Sequence, residues 1–179
     1  MRKAIIFLVV SIFIVSLITG CSKSPVSPAE TQDSTDEQLV LNCVKQKELV
    51  AGQNLTIGKV KLDYQIKDGE PFLYVEFYIF INNDWYITET HVYFGENAPA
   101  KNAPGKFPYK HEGDDIAPFA KVDSYLIPLP TDWEFFYFSS HAVVKNIYGD
   151  EETAWGKNDY EFEHGWGWYC KIPNPAYAP

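Results

Sequence analysis

The sequence predicts an all-β fold, an antiparallel β-sandwich of about seven or eight strands, on three observations. From Leu55 onward apolar and polar residues alternate with period two, clusters of Gly, Pro, Asn and Asp separate these runs, and no segment after residue 48 carries a 3.6-residue apolar repeat. Short alternating strands divided by turns are the pattern of two packed antiparallel layers.

In chain order, Leu55 and Ile57, then Val60, Leu62, Tyr64 and Ile66 beyond a bulge expected at Gly58, form the first clear strand. Lys-Asp-Gly-Glu-Pro at 67–71 is a turn. Leu73, Val75, Phe77, Ile79 and Ile81 then share one face, with Tyr74, Glu76, Tyr78 and Phe80 on the other, until Asn82-Asn83-Asp84 reverses the chain into residues 85–94. Residues 95–120 break the alternation with four prolines and three glycines while carrying Phe107 and Tyr109, so this stretch is a packed Ω-type loop or a functional one. Strands resume at 124–129 and 134–144, where Phe136, Phe138, Ser140, Ala142 and Val144 face opposite to Phe135, Tyr137, Ser139, His141 and Val143. Residues 149–152 turn the chain, and 166–172 make the last strand, ended by Pro173 and Pro175.

Ahead of this domain stands an address. Arg2 and Lys3 precede an apolar run from Ala4 to Leu17, and Ile18-Thr19-Gly20-Cys21 ends it with small residues before a cysteine, the layout of a secretory signal over 1–20. The segment resembles the lipobox of bacterial lipoproteins, in which Cys21 becomes the lipidated N-terminus. Its apolar run is shorter than the roughly 20 residues of a bilayer span, whereas acyl chains such as palmitate on one cysteine anchor a protein stably. Ser22, rather than Asp, follows the cysteine, which in similar Gram-negative lipoproteins directs the protein to the outer membrane. Residues 21–47 form the lipidated cysteine and a flexible tether rich in Ser, Thr, Pro and Asp; 48–175 form the sandwich and 176–179 a tail.

Without residues 1–20, 13 basic residues face 24 acidic ones, a net charge of −11. Such a surface repels the phosphates of nucleic acid, which is excluded as a partner. With Cys21 spent on lipid, Cys43 and Cys170 remain near the two ends of the domain, in a compartment where disulfides persist. Their bridge would close nearly the whole domain and, by chain entropy, contribute up to about 4–5 kcal/mol.

Two groups of residues are candidates for a site. Glu89 and His91 are two apart and share a strand face, and with His141 and Glu152 they can converge into a Glu/His/His/Glu cluster able to bind zinc or run acid–base chemistry; the alternative is a set of buried polar residues tying the layers together. No HExxH spacing accompanies it, and no residue is assigned a catalytic role. Ser139 and Ser140 precede His141 without a nucleophile elbow. The loop carboxylates Asp114, Asp115, Asp150, Glu151 and Glu152 can ligate calcium through oxygen, or simply be solvated. The aromatic set Trp155, Trp166, Trp168 and Tyr169 offers flat rings that stack on sugars, giving glycans or envelope polymers as partners, or else fills the core.

Five ordered motifs carry a resemblance: Leu49-Val50-Ala51-Gly52-Gln53, Glu89-Thr90-His91-Val92-Tyr93-Phe94-Gly95, Pro104-Gly105-Lys106-Phe107-Pro108-Tyr109, His141-Ala142-Val143-Val144 and Glu152-Thr153-Ala154-Trp155-Gly156. Together they resemble an extracellular β-domain of bacterial surface and lipid-anchored proteins over residues 48–169. The resemblance implies an envelope context and no particular activity. The expectation is a lipid-anchored, non-enzymatic binding or structural module, with a metal-dependent enzyme as the alternative.

Overall fold

A computed structural model of the chain describes residues 46–179. The signal segment, Cys21, Cys43 and the tether up to residue 45 lie outside the described residues.

Ten strands lie among the described residues: β1 (Lys47–Ala51), β2 (Leu55–Lys67), β3 (Glu70–Ile79), β4 (Trp85–Gly95), β5 (Tyr109–His111), β6 (Val122–Pro128), β7 (Phe135–Asn146), β8 (Glu151–Gly156), β9 (Tyr160–Glu161) and β10 (Trp168–Pro173). Every pairing between them is antiparallel, as the alternation requires. The hydrogen-bonded path runs β5-β4-β7-β8-β1-β2-β3-β6, with β10 sharing an edge of β7 with β8, and β9 beside β10. The sandwich therefore comes from one sheet that curls over on itself. Its ends approach at Ile87 of β4, whose N–H donates to the Ala120 carbonyl just before β6 at 2.8 Å.

Inside the curl, Ile57, Val60 and Leu62 of β2, Leu73, Val75, Phe77 and Ile79 of β3, Ile127 of β6, and Phe136, Phe138, Ala142 and Val144 of β7 are fully or almost fully buried in one cluster. Apart from Ile127, these are alternate residues that the period-two reading puts on one face of their strands. The Lys67 to Glu70 connection is a two-residue turn in which Asp68 and Gly69 both take positive φ (54° and 85°), the geometry whose twist matches antiparallel strands.

Details differ from expectation where backbone irregularity intervenes. The bulge of β2 falls at Ile57, not Gly58: the register passes from Leu49↔Gly58 to Val50↔Thr56, and the extra residue lets Ile57 and Val60 both point inward. β4 has a second bulge between Ile87 and Glu89. It turns Ile87, Val92 and Phe94 into the core and sends Glu89, His91 and Tyr93 to the outer face. β1 begins at Lys47, inside the expected tether, and the tail is held, with Ala178 N–H donating to the Thr131 carbonyl at 3.1 Å. Cys170 is fully buried in the core opposite Phe138 on β7, while its expected partner Cys43 lies outside the described residues.

A second, smaller apolar cluster covers the outer face of β7, β8 and β1. Val50, Phe107, Trp155, Phe162 and Trp168 are buried there, with Tyr93, Trp166 and Tyr169 packed against them. Phe107 comes from the long 95–120 segment, which is thus a packed loop.

Candidate functional site

The outer cluster borders two candidate sites. The first lies where β4 and β7 pair His91 directly with His141. The two imidazoles meet Nδ1 to Nδ1 at 3.1 Å, and Trp155 stands edge-on to the His141 ring at 4.8 Å between centroids. His91 is almost fully buried, yet its Nε2 reaches outward to Glu112 Oε1 at 3.0 Å, with Glu89 Oε2 at 3.9 Å. Glu112 follows β5, which pairs Lys110 with His91 and sets the Lys110 ammonium 3.6 Å from the same carboxylate oxygen.

A carboxylate only accepts, so His91 Nε2 carries the proton of the 3.0 Å bond, and the 3.1 Å contact between the two Nδ1 atoms holds one proton between the rings. Burial pushes His141 down to about 3, reinforced by the neighbouring His91, so it is neutral at physiological pH. The hydrogen bond from His91 holds the Glu112 carboxyl below its ordinary range, with Lys110 adding to the effect.

Of the expected Glu/His/His/Glu cluster, then, Glu89, His91 and His141 come together and Glu152 does not. Trp155 faces outward beside His141, and period-two alternation puts Glu152 with Ala154 on the opposite side of β8, where its carboxylate lies over Gly52. Glu112 takes the place expected for Glu152. Sequence reasoning missed it because a three-residue strand inside a proline-rich loop leaves little alternation; Tyr109-Lys110-His111 was the only trace.

The second site is a cleft of about 440 Å³ between the 99–102 and 162–169 segments, lined by Lys101, Asn102, Phe162, Glu163, His164 and Tyr169 among others. Asn102 Nδ2 fixes one wall by donating to the Trp166 carbonyl at 3.2 Å. Gly167, at φ 139°, lets the other wall lie flat on Trp155, whose ring sits where a side chain would begin. Of the expected aromatic platform, Trp155 and Trp168 are only 3% and 8% exposed and serve as core, because the 157–167 segment folds over them. Trp166 and Tyr169 are half-buried, and Tyr169 faces Tyr160 at 5.4 Å and Phe162 at 5.3 Å.

Two of the remaining carboxylates are engaged locally. Glu151 pairs with Lys145 at 3.0 Å, and Asp150 accepts from Asn146 Nδ2 at 2.8 Å. Ser139, which shares the outer face with His141, donates to the Trp168 carbonyl at 2.7 Å. No protein-family model matches this chain, nor does any curated protein or solved structure.

Proposed function

We propose that the chain is a lipid-anchored bacterial envelope protein, held through Cys21 in the outer membrane and spaced from it by the 21–47 tether, whose β-domain binds a glycan or envelope polymer without catalysing a reaction. The lipobox-like Ile18-Thr19-Gly20-Cys21 and the polar tether support the anchor. The resemblance over residues 48–169 supports the envelope setting.

The observation that carries the binding reading is the cleft itself. The long 95–120 segment and the aromatic 155–169 stretch, whose rings are the candidates for stacking on sugars, line one cavity. Tyr169 supplies a partly exposed ring to stack on a pyranose, and Asn102, Lys101, Glu163 and His164 supply donors and acceptors for hydroxyls. The serine most available to His141 spends its hydroxyl on a backbone carbonyl, which favours binding over hydrolysis.

The full chain in detergent should give a glycan-array or envelope-polymer pull-down signal that falls at least about tenfold in Tyr169→Ala, as loss of a stacking ring predicts. Tyr148→Ala, a ring exposed on a turn outside the cleft, should leave it unchanged. A silent protein, or binding indifferent to Tyr169, overturns the reading. Labelled palmitate should enter the wild-type chain and not Cys21→Ser; equal labelling of both removes the anchor.

A further inference from the structure

We infer that Glu89, His91 and Glu112 form a binding site for one divalent transition cation, of which zinc is the representative, with His141 as the group that orients the ligand imidazole. The site is separate from the sugar-binding cleft and stands or falls independently of it.

Geometry supplies the first argument. His91 Nε2, a Glu89 oxygen and a Glu112 oxygen all lie within 4.8 Å of one another, with His91 Nε2 at 3.0 and 3.9 Å from the two carboxylates. Tetrahedral zinc, with bonds near 2.0–2.2 Å to nitrogen and oxygen, sets its ligand atoms about 3.4 Å apart. Closing to that spacing needs movements of about 1 Å. The parts that must move are the two glutamates, 43% and 44% exposed, while the imidazole, 4% exposed, is already placed. Three protein ligands and a solvent-facing fourth position are the composition of an open zinc centre.

The second argument is electrostatic. One imidazole N–H needs one acceptor, and Glu112 provides it. Glu89 is a second carboxylate turned toward the same nitrogen and brought within 4.8 Å of the first. Two like charges so close are unfavourable unless a cation lies between them. Lys110, 3.6 Å from Glu112, supplies part of that charge; a divalent ion supplies it fully.

The third argument is the support behind the ligand. Imidazoles that bind metal are fixed through their second nitrogen, and His91 Nδ1 is fixed by His141 Nδ1 at 3.1 Å, in a buried position walled by Trp155. With metal on Nε2, His91 becomes the Nδ1–H tautomer and donates to His141 Nδ1. His141 then carries its proton on Nε2. An imidazole among the ligands selects zinc and its first-row neighbours over calcium and magnesium, which prefer oxygen alone.

The test uses the full-length chain in detergent, stripped with EDTA and titrated calorimetrically with zinc chloride and calcium chloride, with cobalt(II) absorption as a report of coordination geometry. We expect one zinc per chain, calcium at least about 100-fold weaker, and an intense tetrahedral cobalt spectrum. The Glu89→Gln/Glu112→Gln double variant should weaken zinc at least about 100-fold with its circular dichroism unchanged. Lys110→Gln should tighten zinc several-fold, since an ammonium no longer competes for Glu112. No zinc uptake, equal affinity for calcium, or zinc binding unaltered in the double variant overturns the site. Should the double variant misfold, weaker or unchanged zinc affinity in Lys110→Gln overturns it instead.

Discussion

Two polar networks sit one residue apart on β4 and differ in what they leave open. Thr90 points into the curl. Its hydroxyl donates to Asp123 and lies 2.6 Å from the Tyr125 hydroxyl, which in turn reaches the Thr90 carbonyl at 2.9 Å; His111 donates to Asp123 at 3.0 Å and stacks on Tyr125 at 4.2 Å. That network joins β4, β5 and β6 across the seam where the sheet's two ends meet, and its groups satisfy one another. His91 points outward, and its chain ends on two half-exposed carboxylates. A closed network is a fastener, whereas one that ends in paired anions at the surface is equipped to take a ligand. The bulge between Ile87 and Glu89 decides which residues join which, since one residue of slip exchanges the faces.

The hardest blow to the outer region is Trp155→Ala. The indole touches His141, Phe107 and Phe162 and is the centre of the outer cluster. Its removal should cost about 3–5 kcal/mol in urea unfolding, as for other large buried aromatics. A cost below about 1 kcal/mol would mean that the 95–120 and 157–167 segments are a loose cover rather than a second core.

Acid distinguishes the networks next, because only the outer one contains an imidazole held uncharged by burial. His141 in the folded chain is pushed down to about 3 against an ordinary 6.5, so below pH 6.5 the unfolded chain binds a proton that the folded chain refuses. Stability is complete above pH 6.5 and falls toward pH 3, by up to about 1.4 kcal/mol per pH unit from this group. Metal-free wild type and His141→Gln, compared between pH 6.5 and 5, should differ in slope by that amount. Glu112 acts in the same sense, its depressed carboxyl losing the His91 bond on protonation, but below its ordinary 4.5 and so outside this interval. Equal slopes would show that His141 accepts its proton without unfolding.

How much of this was readable in the sequence follows from what each residue contributes to alternation. β2, β3, β4 and β7 declare themselves, because large apolar residues recur every second position on a buried face. β8 does not: its inward positions, Ala154 and Gly156, are small, the latter because Ser140 leaves no room for a side chain, so Glu151 and Glu152 read as part of a turn. Glu89, His91 and His141 could be placed on shared faces by parity alone. Glu112 could not, since β5 spans only Tyr109–His111 and its partner strand is known only from the fold. The burial of Trp155 and Trp168 was equally hidden. Whether a ring on an outer face meets solvent depends on which loop folds over it, and no local pattern encodes that.

The finest separation of the two networks is Tyr125→Phe. The ring remains, keeping its edge contact with Phe77 at 6.3 Å and its stacking on His111, so the variant removes only the hydroxyl between the Thr90 carbonyl and Thr90 hydroxyl. Burial raises this phenol above its ordinary range, so it is an uncharged donor through mildly alkaline pH and its loss is the loss of a neutral hydrogen bond. The expected cost is about 1–3 kcal/mol, because Thr90 is left with polar atoms facing a methine in a buried seam. Zinc affinity should not move, since Thr90 and His91 face opposite sides of β4. A neutral Tyr125→Phe would show that the seam is held by Asp123 and the Ile87–Ala120 bridge alone. A variant that instead lost zinc would show that the two faces respond as one unit, and that the bulge couples the networks it was taken to separate.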